Sequence, residues 1–325
     1  EFAHAYNGRG YAYGNKRQFD RAITDYNKAI ELDSEFAHAY NGRGYAYGNK
    51  RQFDRAITDF NKAIELDPEF AFSYSGRGHT YNNKYQFDRA IIDFNKAIEL
   101  DPEFASSYSG RGHAYNKKHQ FDRAIIDFNK AIELDSGFAH AYNGRGNTYR
   151  NKRQFDRAIT DYNKAIELDS EFAPAYDGRG SAYSSKHQFD RAITDYNKAI
   201  EIDPMLIESY NNLAWLYATA KDSKLRNGSA AVNLAKKAIE LDEQKTEFSA
   251  LLDTLAAAYV ETDKQELAVR TYERVMGLEL FLVIEYQKFL KRKGHYMGQI
   301  DGIYSTSMRN SLIACIRVGC KLGVD

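Results

Sequence analysis

Little in this chain is charged on balance, crosslinked or continuously apolar. Lys plus Arg and Asp plus Glu number 45 each, so the formal net charge is zero. That balance gives no electrostatic ground for nucleic acid or an anionic membrane as a partner. No apolar run reaches the roughly 18 residues that a membrane-crossing helix needs. Cys315 and Cys320 are the only thiols in 325 residues. Five positions apart on an expected helix, they do not face each other and make no metal pattern, so they read as idle. The histidines recur on helix faces one repeat apart and not at i, i+4, which argues against zinc. No metal, no cofactor and no catalytic residue is therefore expected. Gly-Arg-Gly recurs within helical pattern and is no phosphate loop. The chain opens mid-pattern on Glu1 without Met, as a processed or trimmed product does.

What is present is one 34-residue unit written six times over residues 1–204. Glu1–Ser34 and Glu35–Pro68 differ only at Tyr26/Phe60 and Ser34/Pro68. A strict period of this size means a stacked array of small units. Phe2, Tyr6, Arg9, Gly10 and Tyr13 share one face of a helix, and Ala22, Ile23, Tyr26, Ala29 and Ile30 share one face of a second. Gly14-Asn15-Lys16 is the expected turn between them, and Asp20 the expected cap of the second helix. Pro68 fits a first helical turn that also stops the helix before it. Each unit is then a helical hairpin that buries its stripe only against its neighbours.

The run Tyr6-x2-Arg9-Gly10-x2-Tyr13…Ala22-x3-Tyr26…Ser34 resembles the tetratricopeptide repeat. Two divergent units follow, on Tyr210, Leu213, Ala214 and Tyr217, and on Leu252, Leu255, Ala256 and Tyr259. The resemblance implies an all-α, right-handed superhelical solenoid of about eight hairpins. It also implies a non-catalytic scaffold that takes a protein or peptide in a groove lined by the first helices. The expected division is 1–204 for six near-identical repeats, 205–280 for two divergent ones and 281–325 for a small helical module. Near-identical repeats also favour self-association.

One departure from the family pattern carries information. Arg9, Arg43, Arg77, Arg111, Arg145 and Arg179 stand where the family usually has Leu. On the facing stripe stand Asp25, Asp59, Asp93, Asp127, Asp161 and Asp195. In the seventh unit both slots become Leu, at Leu213 and Leu234. A joint exchange predicts an ion pair inside each of the first six hairpins.

The face opposite the buried stripe is the expected groove. It presents His4, Asn7, Tyr11 and Asn15, then His38, Asn41, Tyr45 and Asn49. Ser75, His79 and Asn83 follow, then Ser109 and His113, then Asn143, Asn147 and Asn151. Asn amides both donate and accept, so a ladder of them suits an extended peptide backbone. Tyr and His add flat amphipathic surface of the kind that also stacks on sugars. The Lys/Arg slots of a carboxylate clamp are filled by Gly8, Gly42 and Gly76, which argues against binding of a charged chaperone tail.

Residues 281–325 shift in charge, with seven Lys/Arg against three Asp/Glu. Phe281–Lys293 and Ser307–Val318 read as helices that close the array. Tyr286-Gln287-x2-Leu290-x3-Gly294-His295-Tyr296-x-Gly298-x-Ile300-Asp301-Gly302-x-Tyr304 resembles the small peptidoglycan-binding domain of bacterial wall proteins. That resemblance implies glycan as a second partner and a bacterial envelope or periplasmic location, and without it the cytoplasm is expected. Glycan binding, or service as the recognition half of a larger enzyme, are the alternatives to the peptide-binding scaffold.

Overall fold

The computed structural model describes residues 2–242, 248–278 and 280–322, and every element in them is an α-helix. The chain forms two compact units, Glu1–Asp169 and Ser170–Asp325. The first holds five hairpins: α1 (Phe2–Asn15) with α2 (Phe19–Leu32), α3 (Ala37–Asn49) with α4 (Phe53–Leu66), α5 (Ala71–Asn83) with α6 (Phe87–Leu100), α7 (Ala105–Lys117) with α8 (Phe121–Leu134), and α9 (Ala139–Asn151) with α10 (Phe155–Leu168). The second holds three: α11 (Ala173–Ser185) with α12 (Phe189–Ile202), α13 (Ile207–Thr219) with α14 (Gly228–Leu241), and α15 (Phe248–Glu261) with α16 (Gln265–Leu278). It ends in α17 (Leu280–Arg292) and α18 (Thr306–Arg317). Within each unit a helix packs on its hairpin mate and on the next hairpin, which is the solenoid class. The entry to the eighth hairpin, 243–247, and residue 279, near the end of the expected divergent repeats, lie outside the described residues.

The reversal inside each hairpin falls two residues later than the Gly-Asn signal suggests. α1 runs through Gly14 and Asn15, and the chain turns at Arg17, which sits in the left-handed region at φ 58°. The Arg17 N–H donates to Gly14 at 2.8 Å and the Gln18 N–H to Tyr13 at 2.9 Å. Arg51, Tyr85, His119, Arg153 and His187 repeat the turn. A non-glycine residue in this region costs roughly 1–2 kcal/mol, a cost set against the two turn hydrogen bonds, and no glycine marks the position. Nor does Asp20 cap α2. The helix begins at Phe19 after Gln18, and Asp20 lies in its first turn, near the positive end of the helix dipole. There it pairs with Lys50 of the next hairpin, as Asp54 does with Lys84, Asp88 with Lys118 and Asp122 with Lys152. Pro68 stands in the turn before α5, not in its first helical turn.

Glycine explains how closely the hairpins stack. The Phe60 ring, 1% exposed, lies between Gly44 of its own hairpin and Gly76 of the next. A Cβ on Gly44 would stand 3.0 Å from the ring and one on Gly76 2.5 Å. Phe94 is held in the same way by Gly78 and Gly110. At Gly42, Gly76, Gly110 and Gly144 the first glycine of Gly-Arg-Gly therefore faces the ring of the preceding hairpin. Gly8 is the matched control, with nothing within 4 Å of its would-be Cβ. Gly8→Ala should stabilise the first unit by about 0.5–1 kcal/mol through helix propensity. Gly76→Ala should lose roughly 1–3 kcal/mol to overpacking, more than the propensity gain offsets. Thermal melts of the two variants check this, and a higher midpoint for Gly76→Ala would sink the ring clamp.

The tail shares the core of the last hairpins. Leu282, Tyr286, Leu290, Met308 and Leu312 join one apolar cluster with Leu252, Tyr272, Val275 and Met276. The Tyr272 hydroxyl donates to the Leu322 carbonyl at 3.2 Å and accepts from the Leu322 N–H at 2.9 Å. The two cysteines are not idle. α18 stops at Arg317, Gly319 turns the chain at φ 80°, and Cys320 returns to form a disulfide with Cys315. Their spacing had been laid on one continuous helix, and the helix ends between them.

Candidate functional site

The recurrent Arg and Asp meet in bidentate geometry in all six hairpins. Arg77 donates from Nε to Asp93 Oδ2 at 2.8 Å and from Nη2 to Oδ1 at 2.7 Å. Arg9 with Asp25, Arg43 with Asp59, Arg111 with Asp127, Arg145 with Asp161 and Arg179 with Asp195 have the same two bonds. Each Asp is 4% exposed. Burial pushes the Asp93 carboxyl up, against the downward pull of the Arg77 hydrogen bonds. A third bond from the same guanidinium was missed in the sequence. Arg77 Nη1 donates to Asn61 Oδ1 of the preceding hairpin at 2.6 Å, and Arg43, Arg111 and Arg145 reach Asn27, Asn95 and Asn129 likewise. The guanidinium also lies 5.7 Å from the Tyr74 ring centre, within cation–π range. Arg43, Arg77, Arg111 and Arg145 are thus anchored on three sides and are not laid out as a free cationic row.

On the first unit, α1, α3 and α5 wall a trough of about 610 Å³. Seven of the groove residues named from the sequence line it: Asn7, Tyr11, Asn15, His38, Asn41, Tyr45 and Asn49. The apolar part of its wall includes Phe19, Phe70, Phe72 and Phe104. Phe70 and Phe104 occupy the slot of Phe2, which the sequence places on the buried stripe of the first helix. They reach the groove edge because each stacks on the ring two residues into the neighbouring first helix. His38 lies 4.5 Å from Phe70, Phe72 lies 4.6 Å from Phe104, and His4 lies 4.5 Å from Phe36. The only sequence signal for this is a Phe at one fixed slot of every repeat, which a purely structural role explains equally well. Burial pushes the Tyr45 hydroxyl up to about 12, so at neutral pH it is a donor, and it reaches the Phe72 carbonyl at 3.3 Å.

A second hollow of about 470 Å³ brings Asn49, Asn83 and His113 beside Asn82, Arg51 and Lys117. Asn82 is 7% exposed; its amide donates to the Gly110 carbonyl at 2.9 Å, while its Oδ1 accepts no hydrogen bond among the described residues.

Other named groove positions are absorbed by the stack. Ser75 is fully buried beside the Gly76 contact. Asn147 accepts from the Tyr162 hydroxyl at 2.9 Å, and Asn151 donates to Asn116 at 3.1 Å. The Oδ1 of Asn143 is buried. His79 stands edge-on to Phe94 at 4.9 Å with Ser106 at 3.2 Å, and burial pushes its imidazole down to about 4, so it is neutral at pH 7. Ser109 and His4 line neither hollow. The groove is thus an aromatic trough with amide edges on the early hairpins, and not a uniform Asn ladder.

No helix among the described residues is long and apolar enough to cross a membrane. No curated protein matches the chain. Solved structures similar to it include the APC/C hetero-tetramer Cut9-Hcn1, 18% identical at a TM-score of 0.66 over 78% of this chain and 48% of that one. This chain thus spans about half of that protein's length. TTC0263, a thermophilic TPR protein of Thermus thermophilus, is 16% identical at a TM-score of 0.52, over 56% of this chain and 99% of that one. YrrB, described as a TPR protein with an unusual peptide-binding site, is 27% identical at a TM-score of 0.41, over 57% of this chain and 95% of that one. Residues 3–36, 37–70, 105–138 and 139–172 match the tetratricopeptide repeat, as do 73–104, and 180–220 match the TPR repeat. With six hairpins in register with that pattern, the chain belongs to the tetratricopeptide-repeat family.

Proposed function

We propose that the chain is a non-catalytic scaffold that holds an extended peptide segment of a protein partner on its first unit. The observation that carries this reading is the trough of about 610 Å³, where Tyr11, Tyr45 and Phe72 form apolar walls and Asn7, Asn41 and Asn49 bring amides to the rim. An apolar or aromatic side chain fits between the rings, and the amides match the alternating donors and acceptors of its backbone. Tyr11, 65% exposed, and Phe72, 47% exposed, are the residues to remove, because their loss costs the stack least. Peptides selected from a random library against the full chain should bind Tyr11→Ala and Phe72→Ala roughly tenfold or more weakly. A library that yields no binder, or binders indifferent to both substitutions, would overturn the reading.

A second reading puts wall glycan on the tail and the chain in a bacterial envelope. Its support is the motif around Gln287, whose Oε1 accepts from the Asp301 and Gly302 N–H groups at 3.0 Å each. Its Nε2 donates to Asp301 at 2.8 Å, so the turn that presents exposed Met297 and Ile303 is held firmly. The family matches end at residue 220, so this reading rests on the motif alone. Co-sedimentation of the full chain with insoluble peptidoglycan separates the two readings.

A further inference from the structure

We propose that His295, Cys315 and Cys320 form a soft-metal site that opens when the disulfide is reduced. The ligand atoms of the three residues all lie within 4.8 Å of one another. They come from three separate segments. His295 follows α17, where Gly294 at φ 76° turns the chain and the His295 N–H donates to Leu290 at 2.9 Å. Cys315 is in the last turn of α18 and fully buried. Cys320 follows the left-handed Gly319, and its N–H donates to the Cys315 carbonyl at 3.0 Å. Backbone hydrogen bonds thus hold His295 to the end of α17 and Cys320 to the end of α18, in addition to the sulfur–sulfur bond. The only two cysteines of the 325-residue chain lie beside the one histidine of its eight that stands outside the repeats.

Two thiolates and an imidazole are a donor set for a soft or borderline divalent cation of the zinc class, with the fourth position left to water. In the disulfide neither sulfur is a thiolate, so the site is closed. A dithiol reductant opens it: one of its thiolates attacks Cys320, the more accessible sulfur, and Cys315 leaves as thiolate. The second thiol of the reductant then displaces Cys320. Two electrons and two protons pass to the chain, and the reductant becomes a cyclic disulfide. Metal binding releases the two thiol protons to solvent. Leu322, two residues beyond Cys320, holds Tyr272 of the last hairpin, so the site closes the tail onto the array.

The test is a cobalt(II) titration of the full chain under anaerobic conditions. The disulfide form is compared with the chain reduced by a phosphine, which takes oxygen from water as it becomes a phosphine oxide. The reduced chain should bind one cobalt with a thiolate-to-cobalt charge-transfer band, and the disulfide form should show none. Because the chain has no other cysteine, any such band reports this site. Even the loss of an outer partner of a metal ligand weakens binding about 10- to 100-fold, so His295→Ala should weaken cobalt roughly tenfold or more. Absence of the band in the reduced chain overturns the proposal and leaves a plain structural disulfide. Equal affinity in His295→Ala overturns the role of the imidazole. The comparison of the two redox states needs no substitution, so a variant that misfolds does not decide it.

Discussion

Replacing Arg77 with Leu should cost the first unit about 3–5 kcal/mol, and replacing Asp93 with Leu as well should recover most of that loss. The single change leaves a carboxylate that is 4% exposed with neither of its two charge-assisted donors. Burial already pushes that carboxyl up with Arg77 in place, so without the guanidinium it must take a proton or stay charged in an apolar wall. The double change removes the unpaired charge and fills both slots with side chains of suitable volume. The chain contains its own version of it in the seventh hairpin, where Leu213 is 1% exposed and Leu234 packs against the same cluster. Recovery should stop short of complete, because Arg77 also bonds Asn61 of the preceding hairpin. Denaturant titrations of the wild type, the single and the double variant measure all three terms. A double variant no more stable than the single would mean that the pair is not the unit that matters.

The Arg–Asp pairing was readable because both slots change together between the sixth and seventh hairpins. The helical hairpins were readable because apolar residues recur at helical spacing through every copy. The Asn61 bridge was not, since an exposed Asn at a fixed slot of each repeat is as well explained by solvation. Burial of Ser75 and engagement of Asn151 by Asn116 of the preceding hairpin could not be read for a different reason. Both follow from how closely two hairpins approach, and that distance is set by Gly76-type contacts with the preceding ring. A face assigned from the periodicity of a single helix ignores the helix stacked beside it. The cysteine pairing was hidden by a helix end: Gly319 carries the chain back, while a helical wheel carries it on.

The second large effect concerns the tail, where Leu290→Ala should lower the stability of the second unit by roughly 2–5 kcal/mol. Leu290 is fully buried, in the cluster that runs from Ala214 of the seventh hairpin through Tyr272 of the eighth to Met308 and Leu322. A cavity there is felt by elements on both sides, because they bury each other's apolar faces and share no separate cores. The tail is thereby distinguished from an appended module. An independent module would melt alone and leave the hairpins at their own midpoint. A closing element takes α13 to α16 down with it, while the first unit keeps its transition. Hydrogen exchange resolved by peptide, in the wild type and in Leu290→Ala, reads this directly: protection should fall in α13 to α18 together and stay unchanged in α3 to α8. Loss confined to α17 and α18 would show that the tail folds by itself. Its contact with Tyr272 would then be docking and not a shared core, and any ligand of the tail could be studied apart from the array.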